Sequence, residues 1–61
     1  MKDRIKKLAN ELYEYYERDY KSFTNSKLRA IGHCNREIWA TNSNEDKLMW
    51  FEVKKELNNN Y

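Results

Sequence analysis

The chain has 61 residues, 12 of them Lys or Arg and 10 Asp or Glu, for a formal net charge of +2; 39% are hydrophobic and 15% aromatic. That length holds one small domain over residues 1–61 with a marginal core, and the near balance of charge argues against a dedicated nucleic-acid binder. No stretch approaches the roughly eighteen apolar residues that cross a bilayer, and MKDRIKKLANEL lacks the unbroken apolar segment of a secretory leader, so a cytoplasmic protein with no membrane partner is expected.

From Asp3 to Phe23 the helical pattern is clear. Ile5, Leu8, Ala9, Leu12, Tyr13, Tyr15, Tyr16, Tyr20 and Phe23 fall within an arc of about 160°, with the charged residues around the rest. Asp19 interrupts this stripe. A buried carboxylate needs a donor, and a structural hydrogen bond to Asn35 of the second helix is the expected solution.

Thr24, Asn25 and Ser26 supply turn and cap chemistry, so a second helix is expected over residues 26–41. Its apolar face is read as Leu28, Ile31, Gly32, Asn35, Ile38 and Trp39, with Cys34 at the margin. Gly32 there would let another helix approach closely. Lys27 to Thr41, KLRAIGHCNREIWAT, also resembles a helix-turn-helix, with Leu28, Gly32 and Ile38 at characteristic relative positions. The resemblance implies a turn at Gly32 and a DNA-reading helix carrying Asn35, Arg36 and Trp39, Arg36 being best suited to guanine.

Ser43-Asn44-Glu45-Asp46 matches a loose capping box. The composition beyond it, rich in Leu, Met, Glu and Lys, predicts a third helix over about 45–58, with residues 58–61 fraying. The predicted fold is therefore an all-α three-helix mini-domain. The alternative is α+β: an N-terminal helix followed by a β-hairpin at about 36–41 and 47–53 around NSNED. As a helix, DKLMWFEVKKEL turns Met49, Trp50, Val53 and Leu57 one way and leaves Leu48 and Phe51 on the other side.

Catalytic and metal chemistry finds little to work with. His33 and Cys34 are the only soft ligands, and neighbours on a helix diverge by about 100°. No glycine-rich loop or nucleophile motif occurs, so neither an enzyme, a metal site nor a cofactor is expected. The aromatic content exceeds the needs of so small a core, and Trp and Tyr are favoured in binding surfaces. The expected function is a non-enzymatic protein-binding module acting through Leu48 and Phe51, with Trp50, Tyr13 and Tyr20 behind them. A structural homodimer and a DNA-binding regulator are the alternatives. Asn and Lys outnumber Gly, Ala, Arg and Pro, the signature of an AT-rich genome; small genes of that kind in low-GC bacteria and their phages often encode regulators or inhibitors.

Overall fold

The computed structural model describes the backbone of residues 2–20 and 23–61 and the side chains of residues 2–18 and 26–61. Three helices follow one another: α1 (Lys2–Tyr20), α2 (Phe23–Ala40) and α3 (Asn44–Asn60). Each packs on the other two, so the protein is an all-α three-helix mini-domain, and no strand occurs among the described residues.

The hairpin alternative is thereby corrected: residues 36–40 close α2, and residues 47–53 lie inside α3. The deciding device is the cap. Ser43 adopts an extended conformation (φ −88°, ψ 124°), and its hydroxyl accepts the Asp46 amide at 3.3 Å. Glu45 and Asp46 then place negative charge in the first turn, against the positive end of the helix dipole. The connection is short and internally bonded, with Ser43 N donating to Thr41 Oγ1 and Thr41 Oγ1 to Asp46 Oδ2.

Two boundaries move from their expected places. Helix α1 is described as far as Tyr20 and α2 from Phe23 onward, so Thr24 and Asn25 lie within α2 rather than in a loop before it. At the other end, α3 runs on through the stretch expected to fray. Tyr61 stacks on Tyr13 with ring centroids 4.8 Å apart and donates its hydroxyl to Asn10 Oδ1 at 3.0 Å. An aromatic residue beyond a polar run has somewhere to bury its ring, which outweighs the polarity of the three asparagines before it.

The core draws on Ile5, Ala9 and Tyr13 of α1, Ala30 and Cys34 of α2, and Val53 and Leu57 of α3. Leu8, Leu12, Tyr16, Ile31, Met49, Trp50 and Tyr61 pack around it. Among the described side chains the predicted α1 stripe holds except at its edge, where Tyr15 stays exposed, its ring edge-on to Tyr16; the side chains of Tyr20 and Phe23 lie outside them. The predicted α2 face holds only in part: Ile31 packs against the core and Cys34, expected at the margin, is buried. Ser26, Ala30 and Cys34, spaced i, i+4, i+8, point inward, while Leu28, Gly32, Asn35 and Trp39 point outward. Bulky rings from α1 and α3 occupy the centre, and a close-packed interior then admits only small side chains from the third helix.

Candidate functional site: an outward apolar face on α2 and α3

Helix α2 turns the small side chains of Ser26, Ala30 and Cys34 inward and the large ones of Leu28 and Trp39 outward. Trp39 is 89% exposed and Leu28 61%, whereas Ala30 and Cys34 are fully buried. Leu28, Gly32, Asn35 and Trp39 recur at i, i+4, i+7 and i+11, a single helical stripe. Along it, Leu28 and Trp39 project at the two ends. Gly32 between them leaves a notch, for a Cβ built there would meet nothing within 4 Å. Helix α3 contributes Leu48 and Phe51, exposed by 66% and 51%, on the side opposite its buried Val53 and Leu57.

Other sequence-derived site residues are placed differently. Trp50 is half-buried and Tyr13 buried, so both serve packing first. The Tyr20 side chain lies outside the described residues. So does that of Asp19, and the bond expected between Asp19 and Asn35 cannot centre on a buried amide, because Asn35 is exposed. Asn35, Arg36 and Trp39 are all at the surface. They do not stand on a separate recognition helix, however: α2 is continuous through Gly32, which makes no turn. Gly32 has enough helical company on both sides to cost stability without breaking the helix. Nor does it let a helix of this chain approach closely, since it faces away from α1 and α3. The outward role of Leu28 was missed in the sequence; the available signal was the alternative stripe of small residues at 26, 30 and 34.

Two polar features lie apart from this face. His33 joins all three helices: its Nδ1 lies 3.2 Å from the Tyr16 hydroxyl, its Nε2 3.8 Å from Glu37 Oε1, and its ring 5.6 Å from that of Trp50. The Glu37 contact is too long for a strong hydrogen bond, and the half-buried ring is held as a fastening between helices. Cys34, its neighbour in sequence, points the other way into the core, where burial pushes the thiol up to about 11. Such a thiol is protonated and poorly nucleophilic at neutral pH. Among the described residues no group of three or more His, Cys, Asp or Glu is placed to hold a metal ion. The second feature is an open cleft of about 440 Å³ between α1 and α3, lined by Lys2, Ile5, Lys6, Glu52, Lys55, Glu56 and Asn59. Its opposed charges are set out on flexible side chains with no nucleophile or buried polar group among them.

No described helix is long and apolar enough to cross a membrane. No family model, curated protein or solved structure matches the chain.

Proposed function

We propose that the protein is a non-enzymatic protein-binding module that regulates a larger partner by docking the outward face of α2 and α3 onto it. The observation that carries this reading is the inversion of α2, with Trp39 and Leu28 in solvent while Ser26, Ala30 and Cys34 fill the interior. Scattered exposed hydrophobic residues are ordinary. A helix that exposes a Trp and a Leu on its outer stripe, beside a second helix exposing Leu48 and Phe51, has the makings of an interface. Trp and Phe there bury large area at low entropic cost, as binding hot spots do.

The test is affinity capture from cell extract with the intact chain, compared with the Leu48→Ser, Phe51→Ser and Trp39→Ala triple variant. A protein retained by the wild type and lost by the variant, with helicity and melting unchanged, supports the reading. Hot-spot truncations cost about 2 kcal/mol or more each, so the loss should be complete. Identical capture by both proteins refutes it, as does a wild-type homodimer in sedimentation that the triple variant breaks.

A further inference from the structure

The chemistry of the partner follows from how charge is distributed around that face, and the inference rests on the docking role just proposed. The face lies on one side of the α2–α3 seam. Glu52 and Glu56 mark the edge of α3 that borders α1, across the cleft they share with Lys2 and Lys6. The opposite flank of α3 borders α2, with Trp50 against His33, Lys54 one turn on from Trp50, and Lys27 of α2 donating to the Asn58 carbonyl. At about 100° per residue, Phe51 follows Lys54 around α3, away from α1. On α2, Ile31 and Ile38 share the edge of Lys27 and lead on to Leu28 and Trp39. Leu28 and Trp39, with the half-buried Ile31 and Ile38 at their inner edge, thus form one half of a surface, and Phe51 and Leu48 the other.

The charges bordering this surface are mainly positive. Lys47 and Lys54 stand at i−4 and i+3 from Phe51, and Arg36 at i−3 from Trp39. Most carboxylates of the same helices are engaged elsewhere, Glu37 toward His33, Asp46 onto Thr41 and Glu56 with Asn60 beside the α1 cleft. Glu45 and Glu52, at i−3 and i+4 from Leu48, border that end of the face. We infer that the face binds an acidic amphipathic helix of a partner protein, its apolar side chains on Phe51 and the α2 stripe and its carboxylates beside Lys47, Lys54 and Arg36. A second copy of this chain would bring the same basic border against itself, a costly arrangement. The notch at Gly32, between projecting Leu28 and Trp39, accepts a ridge of side chains, whereas a lipid surface would have to span it.

A display selection decides the matter. The library is a set of sixteen-residue helical peptides with Leu at i, i+3, i+4 and i+7, and flanking positions randomised among Asp, Glu, Lys, Arg, Gln and Ser. The full chain is the bait, with far-UV circular dichroism to verify the fold of every variant. The expected binders carry Asp and Glu at the flanks. They should lose at least tenfold in affinity to the Lys47→Glu, Lys54→Glu double variant and a similar factor between 50 and 500 mM salt. Binders whose flanks are neutral or basic, yet which are lost with Phe51→Ser, would overturn the acidic partner and leave the docking surface standing. Recovery of no binder that depends on Phe51 or Trp39 would overturn both. Two further probes complete the design, vesicles with 30% phosphatidylserine and a 20-base-pair DNA duplex. Tighter binding to either than to the selected peptides, abolished by the same lysine reversals, would assign the face to that ligand instead.

Discussion

Gly32 is the residue at which local stability and the shape of the surface pull in opposite directions. Glycine inside a helix is less favourable than alanine by about 1 kcal/mol. Nothing among the described residues requires its small size, since a Cβ would enter open space. Gly32→Ala is therefore expected to stabilise the domain by about 1 kcal/mol, read as a higher urea midpoint with an unchanged slope. A neutral or destabilising result would mean that the outward stripe is covered in solution. Leu28 and Trp39 pose the same contrast from the other side, because their exposure contributes nothing to the fold that a polar residue would not.

At the scale of elements, the chain relies on local signals where packing is thin. Helix α3 has a well-defined start. The Ser43 hydroxyl satisfies the Asp46 amide, and Thr41 is bonded to both Ser43 and Asp46. Ser43→Ala should cost about 1 kcal/mol and Ser43→Gly only a few tenths, a difference visible in paired thermal melts. Equal losses would show that the hydroxyl bond contributes little. The same local signals made much of the fold legible. The cap at Ser43 and the run of strong helix formers announce α3, and its split into Val53 and Leu57 inside, Leu48 and Phe51 outside, follows from period alone. Helix α2 was harder because it offers two stripes. Leu28, Ile31, Ile38 and Trp39 have the apolar mass, but Ser26, Ala30 and Cys34 have the size that fits beside Tyr13, Tyr16 and Trp50. Hydrophobic periodicity weighs mass and cannot weigh fit, since fit depends on what the other helices bring to the centre. For that reason Leu48 and Phe51 could be read as surface residues from the sequence and Leu28 could not.

For the whole molecule, the interior leans on groups that must stay protonated. Cys34 is buried among all three helices, and desolvation, only partly offset by Lys54, lifts its thiol from an ordinary 9.0 to about 11. Tyr13 and Tyr61, stacked between α1 and the end of α3, are raised as well, by burial first and then by nearby carboxylates, Glu17 for Tyr13 and Glu56 and Glu14 for Tyr61. Each group holds its proton more tightly folded than unfolded. The stabilisation is fully present below the unfolded value and is lost as pH rises through the folded one. Stability should therefore hold through neutral pH and fall between about pH 9 and 11, first from Cys34 and then, above 10, from the two tyrosines. Urea midpoints at pH 7.5, 9, 10 and 11 measure the decline. Cys34→Ala should flatten its early part while lowering stability at pH 7.5 through the space it leaves. If the variant and the wild type fall in parallel from pH 9, the thiol is in contact with water, and the small-residue side of α2 is not the side that faces the core.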